Sequence, residues 1–426
     1  MPQDLTETLF ERLVDDPDRA GGLEPAAQEV EPGSFLRHVA ALSGSKIADG
    51  LIDPKLVLSW LLTHLGAGPL WVGLLVPVRE SGALLPQLFT TPYITAAPIR
   101  KWFWAGGSAV QGLCAGAIAV AGLTLDGAVA GVVIVTLLGI LALARSVCSA
   151  SYKDVLGKTV GKSRRGTATG FASSAAAAGV IVFALVLLLD LGDRFTVVTA
   201  ALLLAAAFWL IAGAVMATMQ EVRSDPEHVD GIGLRQFRLL REDPQLARFI
   251  VVRSLLVGTA LAPPYFLLLQ PDTALNQLGA LVLASSVASL VSSYVWGRLS
   301  DRSSRRVLMY SGIAGGAVLS LVVMLALTGL IGVAGVIPAA LFGLMIAYQG
   351  VRLGRSTHLV DMAGPDDRAP YTALSNTIVG VVLIVAGGLF AAVGEASVPL
   401  VIGLFAVMCW AAAALAAGLR EVQADD

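Results

Sequence analysis

The stretch Gly297-Arg298-Leu299-Ser300-Asp301-Arg302-Ser303-Ser304-Arg305-Arg306 separates two long apolar runs. A glycine, an Asp-Arg pair and a basic pair share ten residues, which is enough for a turn and too few for a domain. Glycine lets two helices approach closely. The aspartate can cap a helix end or pair with an arginine of a neighbouring helix. The basic residues hold such a turn on the cytoplasmic side of a membrane. The flanking runs, approximately 274–297 and 306–328, are each long enough to cross the hydrocarbon core, which takes about 20 apolar residues.

Composition extends that reading to the whole chain. Of 426 residues, 56% are hydrophobic and 14% charged, and the mean hydropathy is +0.77. Soluble domains carry about 25% charged residues. A soluble enzyme is therefore excluded, as is a disordered or fibrous chain, and the chain reads as a polytopic membrane protein. The net charge of −2 gives no reason to expect a nucleic-acid partner. Cys114, Cys148 and Cys409 lie far apart in apolar stretches and read as small core residues, not a metal or disulfide framework.

Twelve candidate spans follow from Phe35: 35–65, 69–94, 100–123, 127–152, 166–190, 195–219, 248–270, 274–297, 306–328, 332–358, 371–393 and 397–418. With the N-terminus inside, one face holds Arg100, Lys101, Lys153, Lys158, Lys162, Arg164 and Arg165, then Arg298, Arg302, Arg305 and Arg306, then Arg352, Arg355 and Arg368. The other face has Arg194 among Asp126, Asp190, Asp193, Asp272 and Glu395. This asymmetry makes the basic face, and both termini, cytoplasmic.

The expected divisions are an acidic N-terminal tail (1–34), a six-helix bundle (35–219), a cytoplasmic linker (220–247), a second six-helix bundle (248–419) and a short cytoplasmic tail (420–426). The first 33 residues carry nine acids against Arg12 and Arg19 and have no signal-peptide pattern. They read either as a partly disordered tail or, through the stripe Leu5, Leu9, Phe10, Leu13 and Val14, as a short helix docked under the cytoplasmic face. The two bundles align as repeats. Pro92–Lys101 matches Gly297–Arg306 at an offset of 205, Arg145 and Asp154 match Arg352 and Asp361 at 207, and Arg165 and Thr169 match Arg368 and Thr372 at 203. Parallel six-plus-six repeats are a transporter architecture with a solute site near the midplane.

The turn at Gly297–Val307 resembles the loop signature of the major facilitator superfamily. The resemblance covers about 35–420 and implies twelve transmembrane helices in two six-helix bundles. The first-half equivalent keeps Arg100 and Lys101 but has Ala96-Ala97 in place of the Asp-Arg pair, which casts doubt on the usual charge lock there. The resemblance also implies a cytoplasmic gate built from Gly297, Asp301, Arg302, Arg305, Arg145, Asp154, Arg165, Arg352, Arg355, Asp361 and Arg368. In it, Asp301 and Asp361 latch onto Arg352, Arg355 or Arg368; the alternative is a set of solvated loop charges.

Charges at membrane depth are costly and read first as functional. Lys46, Asp49 and Asp53 share one face of span one, where Pro54 is expected to break the helix. Arg79, Glu80 and Gln87 lie on span two, Tyr348 and Gln349 on span ten and Asn376 on span eleven. All are candidates for a substrate or proton cavity. Lys46, Asp49, Arg79 and Glu80 can equally form a neutral structural network. Arg253 either snorkels or enters the cavity, and Pro263-Pro264 should break span seven.

No HExxH motif, paired-histidine spacing or phosphate loop occurs, so neither an enzyme nor ATP-driven transport is indicated and no cofactor or metal is expected. The leading expectation is a monomeric secondary transporter for a small organic solute, with protons as a candidate coupling ion, in a bacterial inner membrane. The competing class is a non-transporting receptor or scaffold on the same fold.

Overall fold

The computed structural model describes residues 3–14, 23, 25–223, 237–363 and 368–423. The middle of the expected linker, the loop before Arg368, acidic residues 15–22 and Glu24, and the last three residues lie outside the described residues. Among the described residues the regular structure is helical. Ten helices among the described residues are long and apolar enough to cross a membrane. Exposed Leu113, Val129, Leu143, Val182, Ile211, Val385, Leu389 and Val407 give the bundle the apolar exterior that a lipid solvent requires. The chain is an integral, multi-pass membrane protein.

The first two spans are broken helices and are not among these ten. Span one runs Glu31–Leu51 and resumes at Val57–His64. Pro54 lacks an N–H and disfavours helix at the residue before it. Asp53 caps the break: its Oδ1 accepts from Lys55 N at 2.6 Å and its carbonyl from Val57 N at 2.9 Å. Span two runs Pro69–Leu84 and then Gln87–Thr95, interrupted at Leu85-Pro86. Span seven breaks as its proline pair predicts, into Pro244–Leu255, Gly258–Leu261 and Pro263–Leu269. At the 205 offset the break at 52–56 falls on 257–261, where span seven is reduced to the short helical piece Gly258–Leu261, so the irregularity is itself repeated.

Span boundaries shift from those expected. Span one begins at Glu31, and span four continues to Thr159, seven residues past its expected end. In the extra turns Val155, Leu156 and Thr159 are buried, and Leu156 packs against the N-terminal segment. Gln3–Leu13 is a helix whose Phe10 packs edge-on against Phe35, with ring centroids 5.4 Å apart. Phe10 and Val14 join Leu156, Val160 and Ala168 in a small core. Residues 3–14 take the docked-helix form of the two readings. The ion pair between Glu31 Oε2 and Arg164 Nη1, 2.5 Å apart and almost fully buried, fixes the start of span one to the turn before span five.

Spans two and eleven pack face to face, as do spans five and eight, and these two seams join the halves. The seams depend on glycine. A Cβ at Gly387 would stand 2.2 Å from Pro77 Cγ, and one at Gly279 would stand 2.6 Å from the backbone N of Leu188. Gly388 and Gly297 have open space at that point, so close packing does not explain them here.

Candidate functional site

A cavity of about 430 Å³ lies between the halves, lined from spans one, four and five on one side and eight and ten on the other. Asp49 is its most heavily engaged group. Arg79 Nη2 donates to Oδ1 at 2.8 Å, and Arg145 Nη2 reaches Oδ2 at 2.6 Å. Arg145 Nη1 also donates to Ser45 Oγ at 3.0 Å, and Trp209 Nε1 approaches the same oxygen at 3.2 Å. Charge-assisted bonds of this kind fix both partners.

Lys46, one turn from Asp49, donates to Ser173 Oγ at 2.6 Å and not to a carboxylate. The break in span one turns Lys55 inward. Its Nζ donates to Tyr348 Oη of the second half at 2.7 Å and lies 3.9 Å from Glu80 Oε1. Lys55, Arg355, Arg79 and Arg352 are the cations that act on Glu80. Asp53, Gln349 and Arg352 line the cavity, with Gln349 Nε2 donating to Ser289 Oγ at 3.0 Å.

Several expected residues stand elsewhere. Arg79 and Glu80 are not among the lining residues and meet them through Asp49 and Lys55. Gln87 opens the second piece of span two and donates to Ala83 O, outside the cavity lining. Asn376 also stands outside it, accepting from Arg253 Nη2 at 2.8 Å while Ser375 Oγ accepts from Nη1 at 2.7 Å. Arg253 is thus buried in the second half, and neither snorkels nor enters the cavity. Arg145 and Arg352 were expected at the gate but line the cavity. The aspartates that follow them, Asp154 and Asp361, lie nine residues on, about 13 Å along a helix at 1.5 Å per residue, so one cluster cannot hold both.

At the arginine-rich end each ion pair among the described residues stays within one half. Arg100 meets Asp154 at 2.7 Å, and Arg165 bonds the carbonyls of Val160 and Gly157. Asp361 accepts from Gln423, while Asp301, Arg302 and Arg368 are exposed. Asp301 has no ion pair within 4.0 Å among the described residues, so the implied latch is not formed in this conformation.

The sequence reading missed Glu221 and Glu421. Buried Glu221 accepts from the backbone N–H groups of Arg100 and Lys101 and from Lys158 Nζ, capping span three where Ala96-Ala97 replaces the Asp-Arg pair. Glu421, 200 residues on, accepts from Ser303 Oγ at 2.7 Å and pairs with Arg305 at 3.3 Å. The matching carboxylates just after spans six and twelve were the available signal.

Hydrogen bonds between the halves occur toward the opposite end. Trp60 Nε1 donates to Leu275 O at 3.0 Å, Leu70 N to Glu395 Oε1 at 2.7 Å and Arg194 Nη1 to Asn276 Oδ1 at 3.3 Å. Trp60, His64 and Phe195 stack beside them. The halves are therefore tied together at the arginine-poor end.

No protein-family model matches the chain, and comparison with curated proteins finds no match. Solved structures do match. A mutant of the nucleoside transporter NupG superposes with TM-score 0.69 at 14% identity, covering 91% of this chain and all of that one. A D-xylose-proton symporter gives 0.67 at 11% identity, covering 92% and 99%. The inward-open xylose transporter XylE of E. coli gives 0.67 at 10% identity, covering 92% and 97%. The chain has the fold of the major facilitator transporters, with twelve spans in two bundles of six.

Proposed function

We propose that this protein is a secondary active transporter that moves a small organic solute by alternating access. The observation that carries this is the charged cavity between the two halves, tied shut, among the described residues, at one end only. The bundles 35–219 and 248–419 are the moving bodies and 220–247 is their linker. The positive-inside bias supports placing the arginine-rich end in the cytoplasm. On that orientation the conformation is inward-facing.

Asp301, exposed here, would then meet an arginine of span ten or of the loop after it when the cytoplasmic end closes. Ion pairs suit this switch, being weak when solvated and stronger when closure dries them. The likeness to a proton symporter, together with Asp49 and Glu80 held among cations, supports a carboxylate as the proton-coupling group. Purified protein in liposomes, tested for flux of a small-molecule panel with and without an inward proton gradient, is the direct test. Absence of flux across the panel would favour a receptor or scaffold.

A further inference from the structure

The charges of the cavity do not balance, and the repeat shows why. Its lining holds Lys46, Lys55, Arg145 and Arg352 against Asp49 and Asp53, an excess of two positive charges. Asp49 already serves two arginines. Lys46 has only a neutral hydroxyl, and the charges that act on it are Arg145, Asp49 and Arg352. Arg352 has no ion pair within 4.0 Å among the described residues; its guanidinium lies over the Tyr348 ring, with Cζ 6.0 Å from the ring centroid.

Arg145 and Arg352 are repeat mates at offset 207. Asp49 falls on Leu256 at that offset and on Ser254 at the 205 offset, so in either register the second half keeps the arginine and lacks the acid. When closure of the arginine-rich end excludes water, cations without local counterions become expensive unless a ligand supplies the charge.

We infer that the cavity takes a small organic anion, its carboxylate, sulfonate or phosphate group held between Lys46 and Arg145 of the first half and Arg352 of the second. The inference rests on the transport reading above and names its substrate class. Ser173, Ser286 and Gln349 offer neutral hydrogen-bonding groups for the rest of the molecule. At about 430 Å³ the space lies toward the small end of ligand pockets, which run about 300–1,000 Å³.

The placement also couples binding to motion. Without a ligand, the cations of the two halves repel across the gap and resist closure of the arginine-rich end. An anion between them removes that repulsion and draws span ten toward spans one and four. Only a ligand with different affinity for the two states can shift their balance, and a bridging anion has that property.

The test uses the purified full-length protein and its thermal unfolding at matched ionic strength. One set of probes is C2–C6 mono-, di- and tricarboxylates, short sulfonates and sugar phosphates. The other is the neutral set glycerol, xylose and uridine. At least one anion should raise Tm saturably, since binding to the native state stabilises by mass action. Whether a carboxylate, a sulfonate or a phosphate acts identifies the head group.

Lys46→Gln and Arg352→Gln should each weaken that apparent affinity tenfold or more, and Lys46→Arg should largely restore it. No shift from any anion, a shift from neutral probes alone, or unchanged affinity in both glutamine variants would overturn the inference. Liposome uptake of the stabilising anion separates the two readings. Binding without uptake keeps the anion site and removes the transport function; uptake of xylose or uridine alone does the reverse.

Discussion

Lys46 faces Ser173 in the first half as Arg253 faces Asn376 in the second. The cations are 207 residues apart and their partners 203. One contact has thus been kept twice, and the two copies have diverged in burial. Arg253 is closed off by Ser375 and Asn376, whereas Lys46 is left on the cavity wall beside Asp49.

Asp49→Asn should remove uptake, at least tenfold, and lower stability by roughly 3 kcal/mol, because two partly buried arginines lose their shared counterion. Adding Arg145→Gln should recover much of the stability without restoring uptake. Thermal unfolding and liposome flux measured on the same preparations check both halves of this expectation.

Glu80→Gln isolates proton coupling. If Glu80 carries the proton, gradient-driven accumulation is lost while exchange of bound solute across the membrane continues. If it only balances Lys55, expression and Tm fall instead, since Lys55 is buried and Glu80 is its carboxylate within ion-pair distance. Normal accumulation with normal expression would remove Glu80 from either role.

Two substitutions should move the conformational balance in opposite directions. Gly279→Ala places a methyl 2.6 Å from the backbone of Leu188, where neither side can yield cheaply. It should open the arginine-poor end and raise labelling of a cysteine introduced at Asn276. Asp301→Asn should weaken closure of the other end and lower that labelling. Identical labelling in both variants and in the parent would contradict the proposed gating.

Glu221→Gln tests a support away from the cavity. The cap over Arg100 and Lys101 keeps some of its hydrogen bonds but loses its charge and the pairing with Lys158. A loss of about 1–2 kcal/mol is expected, in the range of a helix cap, with solute affinity unchanged. A changed affinity at unchanged Tm would show that Glu221 acts on transport directly.

Membrane class, span number, the internal repeat and the breaks at Pro54 and Pro263-Pro264 were legible from sequence. Each follows from local physics: the length of apolar runs, the sidedness of arginine, and the missing N–H of proline. Those terms act within a span or at its ends and need no knowledge of neighbours. The partners of the buried charges were not legible. Asp49 pairs with Arg145, ninety-six residues away, and Lys55 with Tyr348 of the other half. Helical position on one span says which face a charge occupies, not which span lies opposite. Only the packing of spans one, two, four and ten decided that Arg145 and Arg352 line the cavity, that Gln87 and Asn376 do not, and that two cations there lack an acid of their own.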